Sequence, residues 1–317
     1  MQKNSFPKQS LVRCLILSST SMLLFCLGPF MPPLGIAAFV FSPTPMALLG
    51  VRENKTWMTL GLLNVTLALW LVFDAWFALS FLGYCLLCFG LTLPLGKLEK
   101  GSESLLFCAV TSIISKVLFL AASVALGGGN PFEIDQAALR KMLDSMYRGH
   151  EAAHLQESLT QAVELVPHML PFFLIVYSMF DSFINYRLCE ALQRRREGEV
   201  KFPPLPAFGD WRFPTSLIYV FAFAVLLPFF VDSSRDGQLW IMLEYNLKFI
   251  INVFFFLQGL ALVWWWFSKY AAHRPFPLIL RIILIGLLTM PFFNTWVVVL
   301  GLGDICVDFR TKKLKRA

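Results

Sequence analysis

Long runs of uncharged apolar residues constrain this chain more than any other feature. They lie at 11 to 29, 57 to 73, 76 to 94, 105 to 126, 169 to 186, 214 to 231, 245 to 268 and 275 to 308, with a shorter one at 36 to 50. Most match the roughly 20 residues that a helix needs to cross a hydrocarbon layer. Lipid offers the backbone no hydrogen-bond partner, so spanning segments are helices or closed barrels. A barrel would show alternating stretches of about 10 residues, and the sequence has none. Composition agrees, with 57% hydrophobic residues, 15% charged and a mean hydropathy of +0.66. Soluble domains carry about 25% charged residues. The expected fold is all-α: a polytopic transmembrane bundle of about 8 to 10 helices, a single integral membrane domain over residues 1–317 whose first partner is the lipid bilayer.

The net charge of +7 sits in short loops and tails, so it orients the chain by the positive-inside rule and does not indicate nucleic-acid binding. Lys3, Lys8 and Arg13; Arg52 and Lys55; Lys97 and Lys100; Arg194, Arg195, Arg196, Lys201 and Arg212; and Lys269 with Arg274 are expected on the cytoplasmic side. This alternation requires 36 to 50 to cross as a short, tilted helix. It also requires 275 to 308 to turn back at Pro291 as a hairpin of two short helices, which leaves both termini cytoplasmic. No A-x-A-like cleavage site follows the first apolar run, so it is expected to stay as a membrane helix and not to serve as a signal peptide.

Outside the membrane, residues 127–161 are expected to form an external segment, helical and amphipathic over 130–161, with a break at Gly149. It contains H-E-x-x-H from His150 to His154, the spacing that holds zinc in hydrolases. Charged neighbours, the break before His150 and the small size of the segment argue against a zinc protease. His150, His154 and Glu157 remain weak metal candidates on a polar helix face. No cofactor and no catalytic activity are expected. The stretches 187–213 and 309–317 read as a basic cytoplasmic loop and tail, able to meet lipid headgroups or partner proteins. The seven cysteines lie in or beside apolar runs, and Cys85 and Cys88 read as buried thiols, not as a metal ribbon.

Ionisable side chains at lipid depth are costly and face a bundle interior. Lys116 lies mid-run in LLFCAVTSIISKVLFLAAS, and Asp181 in LIVYSMFDSFINYRL, where Ser178, Asp181, Ser182 and Asn185 fall on one helical face. Lys116 and Asp181 sit at matching depth on antiparallel helices, which permits a pair. Asn252 and Gln258 add amides on a later helix. The predicted small-molecule site is therefore Lys116, Asp181, Asn185, Asn252 and Gln258. Asn64 is less informative, Asp74 marks a tight turn, and Trp264 to Trp266 read as an interfacial belt.

Three stretches, FFFLQGLALVWWWF at 254 to 267, LGLGDICVDFR at 300 to 310 and PPLPAFGDWRFPTSLIY at 203 to 219, resemble the YybS-like family of uncharacterised multi-pass bacterial membrane proteins. That family is distantly similar to the S components of energy-coupling-factor transporters, and FSPTPMALLGVRENKTW at 41 to 57 is similar in layout to their early helices. S components are smaller, and TSMLLFC stands where their first helix shows a small-residue face, so an energising module is not implied. The resemblance implies a small-molecule transport or substrate-capture protein and no catalysis. The alternative is a non-catalytic scaffold or assembly factor that recruits partner proteins. A cavity above about 300 Å³ lined by Asp181 favours capture, whereas direct contact between Lys116 and Asp181 in a tight bundle favours the scaffold.

Overall fold

The computed structural model describes residues 8–31, 34–125, 141, 167–197, 201–230, 238–270 and 286–310. All regular structure among them is helical: α1 (Lys8–Phe30), α2 (Leu34–Phe41), α3 (Pro43–Arg52), α4 (Lys55–Val72), α5 (Ala75–Cys85), α6 (Leu87–Thr92), α7 (Gly101–Ala125), α8 (Leu170–Glu197), α9 (Ser216–Phe230), α10 (Gln238–Tyr270) and α11 (Pro291–Val307), with 3-10 turns at Pro167–Met169 and Phe208–Asp210. Five stretches have the length and apolarity to cross a membrane: Lys8–Gly28, Lys55–Val72, Ala75–Thr92, Gly101–Ala122 and Met242–Lys269. Shorter apolar helices cover Ala37–Arg52, Ser216–Phe229 and Phe292–Val307. The external segment at 130–161, and with it His150, His154 and Glu157, lies outside the described residues, Lys141 excepted.

Proline and asparagine chemistry sets the element boundaries. Asn54 caps α4 by accepting from Trp57 N–H at 2.9 Å, and Asp74 caps α5 by accepting from Phe77 N–H at 2.6 Å, which makes the expected tight turn at 74. Pro43 and Pro45 have no N–H to continue α2, so the segment 36 to 50, expected to cross as one short helix, is two helices broken at Ser42. Pro291 opens α11 after an extended Met290, as the hairpin reading requires at that position. The first limb of that hairpin lies mostly outside the described residues.

The sequence reading draws one membrane domain; the packing falls into two compact units, Met1–Asp135 with Phe173–Leu205, and Gln136–Phe172 with Pro206–Ala317. In the first unit, α1, α3, α4, α5, α6 and α7 pack around a core that includes Phe25, Met46, Met58, Leu62, Phe81, Leu87 and Leu91. Gly83 and Gly90 let α7 approach closely, since a Cβ at either position would press on Phe119 or Thr111. In the second unit α10 lies against α9 and α11. There the backbones of Gly259 and Gly301 sit so near Val297 and Phe255 that a side chain at either would strike a carbonyl oxygen.

Two boundaries differ from expectation. The helix expected to end near 186 continues to Glu197, because Glu190 pairs with Arg187 at 2.8 Å and Arg194 at 3.1 Å along its face. The expected loop beyond it is partly a packed strap. Phe202 is buried in the core, Tyr186 Oη donates to Pro203 O at 2.7 Å, and Lys201 Nζ donates to Val51 O at 3.0 Å.

Candidate functional site: a buried charge pair facing a broken helix

The polar face expected on α8 is present, with Ser178, Asp181, Ser182 and Asn185 all fully buried. Opposite it, Lys116 extends from α7 with a side chain only 11% exposed, and its Nζ lies 3.1 Å from Asp181 Oδ2. Both carboxylate oxygens are occupied. Oδ1 accepts from Tyr84 Oη at 2.8 Å and from Asn185 Nδ2 at 2.8 Å; Oδ2 accepts from Lys116 and from Ser112 Oγ at 3.3 Å. Lys116 also donates to Ser112 Oγ, one helical turn back on α7. Its ammonium sits over two aromatic faces, 5.3 Å from the Tyr84 centroid and 5.1 Å from that of Tyr177, and the two phenols are joined by a 3.2 Å hydrogen bond.

The break between α2 and α3 adjoins this cluster. Asn185 Nδ2 donates to Val40 O at 2.9 Å, and Thr44 Oγ1 donates to Asn185 Oδ1 at 2.7 Å. The next helix over holds the break open, with Ser21 Oγ donating to Ser42 O at 2.6 Å. A discontinuous helix beside buried ionisable groups is a recurrent way to place backbone carbonyls at membrane depth. The hydroxyls of Ser178 and Ser182, by contrast, are buried without a hydrogen-bond partner among the described residues.

The predicted set divides between the units. Lys116, Asp181 and Asn185 converge in the first. Gln258, in the second, joins a different cluster: its Nε2 donates to Asp304 Oδ2 at 2.6 Å and its Oε1 accepts from Phe213 N–H at 3.0 Å. Arg310, expected in a basic tail, is 1% exposed. Its guanidinium lies 2.9 Å from Asp304 Oδ2 and donates to the carbonyls of Trp211, at 3.0 Å, and Gly209. A left-handed Asp308, at φ 49°, turns the chain so that Arg310 can reach back. Asn252 is exposed on α10, as Asn64 is on α4, and Asn252 joins neither cluster. Trp264 and Trp265 pack against the turn at Gly209, so part of the expected interfacial belt is used internally. Cys85 and Cys88 are buried free thiols. Among the described residues no group of three or more His, Cys, Asp or Glu side chains is placed to hold a metal ion.

Tyr84, Tyr177, Ser112 and Thr44 were not singled out by sequence reasoning. Two carried a detectable signal: Ser112 lies four residues before Lys116, and Tyr177 four before Asp181, each on the same helical face as its charge.

The three stretches that carry the resemblance meet around Gln258, Asp304 and Arg310, which gives them a shared structural reason. A many-helix membrane fold of this kind matches the family model described as "Predicted membrane protein (DUF2232)" over residues 19–305, and the chain belongs to that family. It is also similar to the "Uncharacterized protein YybS" of Bacillus subtilis (strain 168), 22% identical over 314 residues that cover 96% of this chain and 98% of the relative. No solved structure matches it.

Proposed function

We propose that the protein captures or transports a small molecule in a bacterial inner membrane, with Asp181 and Lys116 as the charged centre of its site. The observation that carries this reading is the helix interrupted at Ser42, which lies beside the buried charges. A buried ion pair adds little or no stability over apolar residues of similar volume, so its presence in the buried interior of the first unit points to use. A bundle built only for support has no need of a broken helix or of the unpaired hydroxyls of Ser178 and Ser182 next to the pair. The resemblance to transporter S components points the same way.

One observation favours the second reading, a membrane scaffold: Lys116 and Asp181 are in direct contact. The two readings part in a single experiment. The full-length chain and its Asp181→Asn variant are purified from native membranes, and bound small molecules and proteins are identified by mass spectrometry. Capture requires a small molecule retained by the wild type and depleted in the variant. Partner proteins retained equally by both, with no small molecule, would leave only the scaffold.

A further inference from the structure

The Lys116 ammonium is held as a bound ligand would be. Asp181 supplies a carboxylate oxygen at 3.1 Å, Ser112 a hydroxyl, and Tyr84 and Tyr177 two ring faces at 5.3 and 5.1 Å. A carboxylate with flanking aromatic faces is the usual recognition chemistry for an organic ammonium ion. Of these four groups only Ser112 shares a helix with Lys116; the others come from α5 and α8, so the cage does not depend on the lysine's own backbone.

Two further facts bear on what can enter. Asp181 is wholly buried, so whenever the flexible lysine withdraws the carboxylate either takes up a proton or receives another positive charge beside it. Ser178 and Ser182, on the Asp181 face of α8, are fully buried with hydroxyls that have no hydrogen-bond partner among the described residues. Such groups are rare in folded proteins and each calls for an explanation.

We infer that Lys116 is a tethered stand-in, and that the site takes a singly charged organic ammonium compound which displaces the lysine from Asp181. This rests on the capture reading and adds the substrate class. The incoming cation pairs with Asp181 while the displaced Lys116 releases its proton to water and stays as the neutral amine, so the exchange leaves the buried net charge unchanged and neither partner uncompensated. The tyrosine faces favour an organic cation over a strongly hydrated sodium ion, and Ser178 and Ser182 are available to the polar remainder of the ligand.

The test uses the full-length chain in lipid nanodiscs, with trimethylammonium chloride as the probe and sodium chloride at equal ionic strength as the control. Trimethylammonium has one N–H for the carboxylate and forms no stable acyl product, so it is compatible with amine labelling. Lys116 acylation by a membrane-permeant active ester is followed by peptide mass spectrometry and normalised to the exposed Lys97. We expect trimethylammonium to raise Lys116 labelling at least tenfold and sodium to leave it unchanged. We also expect Lys116→Ala to melt higher with trimethylammonium, and Lys116→Ala/Asp181→Asn to show no such rise. If Lys116→Ala does not fold, the labelling decides alone. Labelling that ignores the probe, or that responds equally to sodium, overturns the inference. A neutral or anionic molecule retained through Asp181 would leave capture standing and remove the ammonium assignment; no retained molecule would remove both.

Discussion

Substituting Lys116 by methionine keeps most of the side-chain volume and removes the charge. Asp181 then stays fully buried with three donors, Tyr84, Asn185 and Ser112, and no counter-charge. Loss of one partner from a buried pair costs about 3–5 kcal/mol. The three remaining donors place Lys116→Met near the lower end, at about 3 kcal/mol. Asp181→Asn leaves the ammonium with Ser112 and two tyrosine faces, which recover about 1–2 kcal/mol between them, so a similar loss is expected. The double variant Lys116→Met/Asp181→Asn leaves no charge buried and should lose no more than about 2 kcal/mol. The two substitutions should therefore fall short of additivity by about 4 kcal/mol. Equilibrium unfolding in mixed micelles, followed by circular dichroism as the denaturing detergent fraction rises, measures all four proteins. A double variant that loses as much as the two single losses combined would refute the argument, because the charges would then not be compensating each other.

Three further outcomes are expected. Gly301→Ala should destabilise by about 1–3 kcal/mol, since its Cβ would strike the Phe255 carbonyl, whereas Gly286→Ala, with nothing within 4 Å, should be near neutral in the same unfolding assay. Hydrogen bonds from Ser10 at 2.6 Å and then Arg13 at 2.8 Å hold the Glu53 carboxyl below the usual range. Because that value is depressed in the folded state, the contribution is full above the ordinary glutamate value of about 4.3 and is lost as pH falls through the lowered one. Arg13 is more than half exposed, so Glu53→Gln should cost at most about 1 kcal/mol at neutral pH, and a difference that persists unchanged to pH 3 would contradict the assignment. Asp181→Ala should deplete the retained small molecule more than His154→Ala does; depletion only in the histidine variant would move the site to the external segment.

The helical membrane fold and half of the charged centre were readable from residue order, for definite reasons. Apolar run length fixes where helices can cross, and a period of 3.6 puts Ser178, Asp181, Ser182 and Asn185 on one face whatever surrounds them. Matching depth on antiparallel helices permitted the Lys116–Asp181 contact without requiring it. Proline chemistry made Pro291 visible as a break, whereas 36 to 50 was expected as one short tilted helix and its interruption at Ser42 was missed although Pro43 and Pro45 follow it. Tyr84 was not legible, because it comes from a third helix whose rotation the sequence leaves open, and a lone tyrosine in an apolar run resembles any other aromatic. Gln258 looked like a cavity amide because nothing local shows that Phe213 N–H and Asp304 will claim both ends of its side chain. Arg310 misled for a related reason: beside LKR at the chain end it counts as one more tail charge, and only the turn at Asp308 carries it inward.

The order in which the pair is made also has a biosynthetic consequence. Lys116 precedes Asp181 by 65 residues, which at synthesis rates of about 5–20 residues per second is roughly 3–13 s. If segments enter the bilayer as they emerge, α7 waits through that interval with an ammonium at lipid depth and no carboxylate. Tyr84 and Ser112 are already present, and Tyr177 and Asp181 arrive together on α8. The early partners thus give the nascent lysine an aromatic face and a hydroxyl to hold it, and α8 completes the charge balance on arrival.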